Sequence, residues 1–188
     1  MVQDRDRKLA ELILYVAVAS EEDEHFGSTK LNKILFYADF AAYAVTGESI
    51  TGHVYRKLPY GPVPRELPAV RKRLTKSGSL AIQNRARYLY RQERPVALRE
   101  PDLSLFSGQE IAIVNEVIRW LWNDSATEVS ERSHGFLGWK SARMNEEIPY
   151  HTVFLSDDPP TQADFKYARD LIRQEGKRTA PDGKRTAA

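Results

Sequence analysis

The stretch between Ser28 and Gly47 constrains the fold most, because its apolar side chains cover two faces of one predicted helix. A helix that is apolar on two faces has to be covered by other elements on both, so it belongs at the centre of the fold. Ser28 is predicted to cap its first turn, and Gly47 to end it in the left-handed conformation. One face carries Leu31, Ile34, Leu35, Ala38, Ala42 and Val45, and the other carries Phe36, Phe40 and Tyr43.

Further helices are predicted before and after this central one. The first covers about residues 6–20, and two capping boxes, Ser107–Glu110 and Ser125–Glu128, predict the starts of the fourth and fifth. The last is predicted to begin after Thr161, whose side chain can cap it. The apolar stripes at helical spacing are Leu9, Leu12, Ile13 and Val16 in the first, Leu67, Val70 and Leu74 in the third, Ile111, Val114, Ile118, Leu121 and Trp122 in the fourth, and Phe165, Ala168, Leu171 and Ile172 in the last.

Short strands complete the predicted fold. Residues 50–58 are rich in strand-forming side chains and predict one strand, and residues 80–97 predict a hairpin with its turn near Asn84. Between them, three prolines predict a rigid loop over 59–64. The sequence therefore predicts an α+β fold that is mostly α, a single domain of about five to six helices with a short strand and a small β-hairpin.

Composition predicts one globular domain over residues 1–175 and a basic, disordered tail over 176–188. The chain has 188 residues, which is enough for one sizeable core. It contains no cysteine, which excludes disulfides and thiolate metal sites and favours a reducing, cytoplasmic location. No apolar run approaches the ~20 residues that a membrane span requires, so no membrane partner is expected.

Charge is unevenly distributed along the chain. Residues 56–99 carry twelve basic and two acidic side chains, a net charge of +10, although the whole chain has a net charge of only +2. We call residues 56–99 the basic block. Such a block can attract an acidic protein or a nucleic acid. Alternatively, it packs beside the acidic segments that flank it in the sequence, and the sequence alone leaves both interpretations open.

The residues offer little reaction chemistry. The four histidines, His25, His53, His134 and His151, lack the i, i+4 spacing of a helical metal pair. Ser133 and His134 are adjacent on a predicted helix, where neighbouring side chains point about 100° apart and cannot form a catalytic pair. The sequence has no glycine-rich phosphate loop and no exposed-serine turn motif. We therefore expect no metal, no cofactor and no enzymatic activity.

Three features suit a recognition surface instead. Lys30, Lys33 and Tyr37 lie on one ridge of the central helix, and the alternative is an ordinary polar stripe whose lysines extend to solvent. The loop at 60–64 is stiffened by prolines, which reduces the entropy lost on binding. Trp139, after two glycines, is a candidate core or interface anchor.

The order of these motifs resembles one known family. The sequence has Lys-Leu-Asn-Lys-Ile-Leu-Phe-Tyr-Ala-Asp at 30–39, Thr-Gly at 46–47 and Tyr-Gly-Pro-Val-Pro at 60–64. It continues with Val-Ser-Glu-Arg-Ser-His at 129–134, then Trp139 and Ile-Pro at 148–149. Over about residues 8–150, this pattern resembles the Panacea domain family, also called the SocA-like antitoxin domain.

The resemblance implies an antitoxin that neutralises a toxin, encoded nearby, through direct protein–protein contact. On this hypothesis, the ridge of the central helix, the proline loop and the segment from Ser133 to Trp139 form or support the partner-binding site. The predicted partner-binding residues are Lys30, Lys33, Tyr37, Tyr60, Gly61, Pro62, Val63, Pro64, Ser133, His134 and Trp139.

Other functions remain open at this level. The basic block suits a nucleic-acid-binding regulator, although no helix-turn-helix pattern accompanies it. The same surface could also serve an adaptor that delivers a partner to a protease, or a binding module of phage origin, since the family includes phage-associated proteins. The enzyme hypothesis ranks last, because no acid, base and nucleophile are matched in the sequence.

Overall fold

The computed structural model describes residues 2–87 and 90–178 and has an α+β fold that is mostly α. The chain forms two compact units, one ending at Leu155 and the other beginning at Ser156. The helices are α1 (Val2–Ala19), α2 (Ser28–Thr46), α3 (Leu67–Lys76), α4 (Gly108–Trp120), α5 (Ala126–His134), α6 (Leu137–Ser141) and α7 (Gln162–Arg178). The strands are β1 (Tyr55–Leu58), β2 (Gly61–Pro64), β3 (Leu80–Arg87), β4 (Tyr90–Ala97) and β5 (Glu147–Ile148), and short 3-10 helices cover Leu103–Leu105 and Tyr150–Phe154.

Helix α2 lies at the centre of the first unit, as its two apolar faces predict. Leu31 and Leu35 belong to the main core, which α1, α3 and α4 also line. Phe36 and Phe40 on the other face form a second cluster with Tyr55 and Ile148. The predicted central helix is therefore confirmed. One member of its stripe is wrong, because Val45 lies on the last turn and its side chain is exposed.

The predicted C-terminal end of α2 is found in the structure, and its predicted N-cap is not. Gly47 has a φ of 80°, and its N–H donates to the Tyr43 carbonyl at 2.9 Å, so the predicted left-handed end is confirmed. The N-cap is Gly27 rather than Ser28, which is already the first helical residue. The Ser28 hydroxyl instead accepts a hydrogen bond from Arg71 at 3.0 Å. A tertiary contact thus occupies the group that the sequence assigns to capping.

The prolines at 62 and 64 lie in a strand, so the prediction of an irregular loop over 59–64 is wrong for 61–64. Strand β2 pairs antiparallel with β1, from Leu58 opposite Gly61 to Tyr55 opposite Pro64. The sheet order is β2-β1-β5, which makes β2 an edge strand. Proline is tolerated there because an edge strand pairs on one side only and need not donate from every residue. The turn consists of residues 59 and 60 alone.

Strands β3 and β4 form the predicted hairpin, but its turn is not near Asn84. Asn84 pairs with Glu93 in the middle of the ladder, and the register continues to Arg87 opposite Tyr90. The two residues between that last pair, Tyr88 and Leu89, belong to the predicted hairpin segment and lie outside the described residues. The sequence misplaces the turn because it contains no strong turn dipeptide.

Both predicted capping boxes are present. The Ser107 and Glu110 side chains each accept from the other's backbone N–H, at 3.2 and 2.8 Å, at the start of α4. Ser125 and Glu128 do the same at the start of α5. Helix α4 ends at Trp120, before the predicted Leu121 and Trp122. The described residues contain seven α-helices rather than five to six, since the five-residue α6 carries no sequence signal of its own.

The second unit contains α7, which begins as predicted. The Thr161 hydroxyl and the Asp164 carboxylate cap its first turn, with Thr161 N–H donating to Asp164 at 2.7 Å. The helix extends through residues 176–178, which were assigned to the tail, and residues 179–188 lie outside the described ranges. The domain boundary at residue 175 stays a prediction.

Candidate functional site

Lys33 binds the turn between β1 and β2 from the buried side. Its side chain is only 1% exposed, and its ammonium group donates to the backbone carbonyl of Tyr60. Burial lowers the pKa of Lys33 to about 8, because an ammonium ion loses its hydration in an apolar environment. The lysines of this ridge are thus buried, and the alternative of a solvent-exposed polar stripe is wrong for them.

Gly61 fits into the space between Lys33 and α5. Its φ is 101°, a conformation that side chains other than glycine rarely adopt. A Cβ at this position would overlap the Ser133 hydroxyl and the Lys33 ammonium group and would lie 2.9 Å from Lys33 Cε. The Ser133 hydroxyl is fully buried and donates to the Ser130 carbonyl at 2.7 Å. Three elements, α2, α5 and the β1–β2 turn, therefore meet at Gly61.

Lys30 is also buried, but it serves a different contact. Its ammonium group donates to the Asp23 carboxylate at 2.5 Å and to the Trp122 carbonyl at 2.6 Å. These bonds join α2 to the segment after α1 and to the end of α4. Lys30 can therefore support a binding site through the fold, but its side chain does not reach a partner.

Tyr37 packs against an aromatic and cationic cluster that the sequence analysis missed. Its ring lies edge-on to Trp120, with centroids 4.9 Å apart, and burial raises the pKa of Tyr37 to about 12. The Arg132 guanidinium lies 5.5 Å from the Trp120 ring and bonds Asp124 at 2.7 Å. Trp120 stays half-exposed. In the sequence, Trp120 could have been identified because it lies away from the apolar stripe of α4.

Trp139 is held from three directions. His134 stacks on it with centroids 4.2 Å apart, and the Lys57 ammonium lies 4.1 Å from its ring centroid. Its indole N–H donates to the Leu58 carbonyl at 3.3 Å. These contacts join α5 and α6 to β1 and fix the ring beside the same turn that carries Tyr60.

Tyr60 is the exposed tip of this arrangement. Its side chain is 78% exposed, while its carbonyl is held by Lys33 and the next residue is packed on Ser133. Helix α5 carries Arg132 and His134 on either side of Ser133 in the sequence. Arg132 contacts Trp120 at the end of α4, and His134 stacks on Trp139 of α6. We call Tyr60, Trp120, Arg132, His134 and Trp139 the Tyr60 face.

Of the predicted site residues, the structure brings the turn, α5 and Trp139 together. Pro62 and Pro64 are buried in β2, Val63 is half-buried, and Gly61 is buried beneath Tyr60. These residues support the Tyr60 face from inside the fold, and their own exposed surface is small. The exposed area comes from Tyr60 and from the missed pair Trp120 and Arg132.

Asp39 uses its carboxylate inside the fold. It accepts hydrogen bonds from the Thr51 N–H at 2.7 Å, the Thr51 hydroxyl at 2.6 Å and the Tyr55 hydroxyl at 2.8 Å. Burial raises its pKa, although these donors oppose the shift. The motif aspartate thus fastens α2 to the segment that leads into β1, which positions the sheet and its turn.

Part of the basic block is engaged within the fold. Arg99 bonds Glu11 at 2.5 Å, and Arg73 bonds Asp6 at 2.6 Å. Buried Arg94 donates to the backbone carbonyls of the segment after α1, including that of Asp23 at 2.8 Å. These contacts join the block to the acidic flanks, so less positive charge is available to a nucleic acid than the sequence suggests. Nucleic-acid binding stays a prediction.

Within residues 2–87 and 90–178, no group of three or more histidine, aspartate or glutamate side chains could hold a metal ion. No helix there combines the length and the apolar character needed to cross a membrane.

Comparison with known families identifies the domain that carries this site. The family model described as antitoxin SocA-like, Panacea domain, matches residues 31–140, more than half of the chain. The chain belongs to this family. The match includes Lys33, the β1–β2 turn, α5 and Trp139, so the Panacea domain contains the whole Tyr60 face. Searches of curated proteins and of solved structures found no match.

The buried charge of Lys33 leads to a pH-dependent prediction. Because its pKa is about 8 in the folded protein and about 10.5 in the unfolded chain, the folded state binds fewer protons between these values. The penalty for burying the charged form is therefore complete below pH 8 and is relieved as the pH rises. The free energy of unfolding of the wild type, minus that of Lys33→Met, should rise by about 2 kcal/mol from pH 7 to pH 10.

Urea unfolding of both proteins across this range measures that difference. Other titrating groups occur in both chains, and the unpaired Tyr60 carbonyl of the variant adds a penalty that does not vary with pH. Both contributions drop out of the pH trend. A difference that stays flat from pH 7 to pH 10 would show that Lys33 has an ordinary pKa.

Proposed function

We propose that this Panacea-domain protein neutralises a cognate toxin, encoded nearby, by binding it directly through the Tyr60 face. The observation that carries the proposal is the exposed Tyr60 side chain on a turn whose backbone is fixed by buried Lys33 and Ser133. Family membership supports the antitoxin role. Tyrosine, tryptophan and arginine, which make up most of this face, dominate the binding energy of protein interfaces.

The rigidity of the turn supports recognition. Residues 59 and 60 connect two paired strands, β2 contains two prolines, and Gly61 is enclosed by neighbouring side chains. A side chain presented on a fixed backbone loses little conformational freedom when a partner binds, so more of the contact energy appears as affinity. The same construction supports binding rather than catalysis, because the hydroxyl of Ser133 and the ammonium of Lys33 are enclosed beneath the turn.

Growth of cells that express the adjacent open reading frame, with and without this protein, tests the proposal. We expect expression of the adjacent product alone to stop growth, co-expression to restore it, and the two chains to purify together. The Tyr60→Ala/Trp139→Ala double variant tests the Tyr60 face in the same assay. We expect that it does not restore growth. If the adjacent product is toxic and the wild-type protein neither restores growth nor binds it, the proposal is contradicted.

Two related mechanisms differ in measurable ways. An adaptor that delivers the toxin to a protease would use the same face, but it would shorten the half-life of the toxin in cells, whereas direct neutralisation would not. A regulator of phage origin would bind nucleic acid with an affinity that falls steeply with salt. We place the proposed action in the cytoplasm, in keeping with a sequence that lacks cysteine.

A further inference from the structure

A buried histidine joins three elements of the first unit and takes no part in the Tyr60 face. His53 precedes β1 and is only 5% exposed. Its Nδ1 lies 3.1 Å from the carboxylate of Glu66, which precedes α3, and its Nε2 lies 3.6 Å from the carboxylate of Asp6 on α1. Its backbone carbonyl accepts a hydrogen bond from the Tyr150 hydroxyl at 2.6 Å. The imidazole ring is therefore enclosed between two carboxylates that belong to different parts of the fold.

The two ring nitrogens of His53 differ in how well they are satisfied. An ionised carboxylate only accepts hydrogen bonds, so the contact with Glu66 places a hydrogen on Nδ1. In a neutral imidazole, Nε2 then has a lone pair that faces an oxygen of Asp6. Both Nε2 and Asp6 Oδ1 are buried, and neither has a hydrogen-bond partner among the described residues. A second proton, on Nε2, would satisfy both atoms with one charge-assisted hydrogen bond once the 3.6 Å gap closes to about 3 Å.

The arginines near this cluster leave those two carboxylate oxygens to the histidine. Arg73 donates to Oδ2 of Asp6 at 2.6 Å, whereas His53 faces Oδ1. Arg65 lies 3.7 Å from Oε1 of Glu66, whereas His53 contacts Oε2. The positive charge of each arginine weakens the attraction for an imidazolium ion, but neither takes the place of its hydrogen bonds.

The balance of charge around the ring includes groups from three elements. They are Arg5 and Asp6 of α1, Asp39 of α2, and Arg65, Glu66 and Arg73 in and beside α3. Arg5 packs beside Gly52, the residue before His53. Burial raises the pKa of Asp39, and a positive charge on His53 opposes that rise. Burial of the ring disfavours the imidazolium ion, whereas the carboxylates favour it.

We propose that His53 is a pH-sensitive switch, which links α1 to the start of α3 through Asp6 and Glu66 when its imidazole is doubly protonated. Loss of the proton on Nε2 removes the bond to Asp6 and leaves the bond to Glu66. Histidine exchanges this proton between about pH 5 and pH 8. Because the bond to Asp6 exists only in the folded, protonated form, its contribution to stability is present at low pH and is lost as the pH rises.

Urea unfolding of the full-length protein at pH 6 and pH 8 tests this inference. Asp6→Asn keeps the shape of the side chain and removes the charge that faces Nε2. The unfolding constant of this variant, divided by that of the wild type, should be about fivefold larger at pH 6 than at pH 8. Loss of the bond to Arg73 contributes equally at both values. Asp102→Asn is the matched control, because Asp102 bonds Arg7 of α1 at 2.8 Å and no histidine that the structure describes, so its ratio should not change with pH.

NMR titration of the folded protein follows the proton directly. The pH midpoint of the His53 ring resonances should be lower in Asp6→Asn than in the wild type and unchanged in Asp102→Asn. This measurement also distinguishes loss of the switch from a general loss of stability, because it observes folded molecules.

Several results would overturn the switch. One is an unfolding ratio for Asp6→Asn that is equal at pH 6 and pH 8, and another is a His53 midpoint that this substitution leaves unchanged. A pH-dependent ratio that persists in a His53→Gln background would assign the effect to another group. If Asp6→Asn does not fold, the wild type decides, since an Nε2 that stays unprotonated at pH 6 contradicts the switch. None of these measurements requires the toxin, so they are independent of the proposed function.

Discussion

Replacing Gly61 with alanine should destabilise the protein by about 4 kcal/mol and abolish binding of the proposed toxin. The φ of 101° penalises any side chain, and the new Cβ would overlap the groups of Lys33 and Ser133 that pack against the glycine. Lys33 cannot move away easily, since its ammonium group is buried and bonded to the Tyr60 carbonyl. The turn should therefore shift outward and displace Tyr60.

Gly47→Ala provides the matched control. Gly47 also has a positive φ, 80°, but no described atom outside its immediate neighbours lies within 4 Å of where its Cβ would be. It should cost only the conformational penalty, about 1 kcal/mol, and leave toxin binding intact. Urea unfolding and titration calorimetry on the two variants measure both effects. Equal losses of stability in the two variants would show that the contacts around Gly61 add nothing.

The helical part of the fold was predictable because its signals are local. The two apolar faces of α2 require a central position, and the reciprocal bonds of Ser107–Glu110 and Ser125–Glu128 involve residues only three apart. Gly47 likewise ends its helix through its own backbone conformation. These signals involve residues close together in the sequence, so they can be recognised without knowledge of the rest of the fold.

The strands were harder to predict, because their pairing depends on residues far away in sequence. The prolines at 62 and 64 indicate an irregular loop unless β2 is known to pair with β1 at the edge of a sheet. The turn predicted near Asn84 was misplaced because residues 80–97 contain no distinctive turn dipeptide. Ser28 was assigned as a cap because the sequence does not reveal that Arg71 engages its hydroxyl.

Burial explains what the sequence could not reveal about the candidate site. Spacing places Lys30, Lys33 and Tyr37 on one ridge, and lysines on a ridge usually extend to solvent. The fold instead encloses both lysines and gives them separate buried acceptors, so they support the site from within. Trp120 and Arg132 became candidates only when α4 and α5 were seen to place them together.

Removing two aromatic side chains of the Tyr60 face, those of Tyr60 and Trp139, should weaken binding of the proposed toxin without unfolding the protein. Tyr60→Ala should cost about 2 kcal/mol of binding free energy, a roughly thirtyfold rise in Kd, if the side chain is a central anchor. Trp139→Ala should have a similar effect, because the ring also orders His134 and bonds the Leu58 carbonyl. Tyr60 is the cleaner test, since its side chain is 78% exposed and little of the fold depends on it.

Phe154→Ala is the control for both substitutions, because Phe154 is 65% exposed and is not part of the face. Its removal deletes a comparable apolar area and should leave Kd unchanged. Thermal unfolding of each variant distinguishes weakened binding from loss of structure, which matters most for Trp139 because it packs between three elements. If Tyr60→Ala and Trp139→Ala are both folded and bind the toxin at full strength, the partner binds elsewhere. The buried support formed by Lys33, Gly61 and Ser133 would then serve only the stability of the domain.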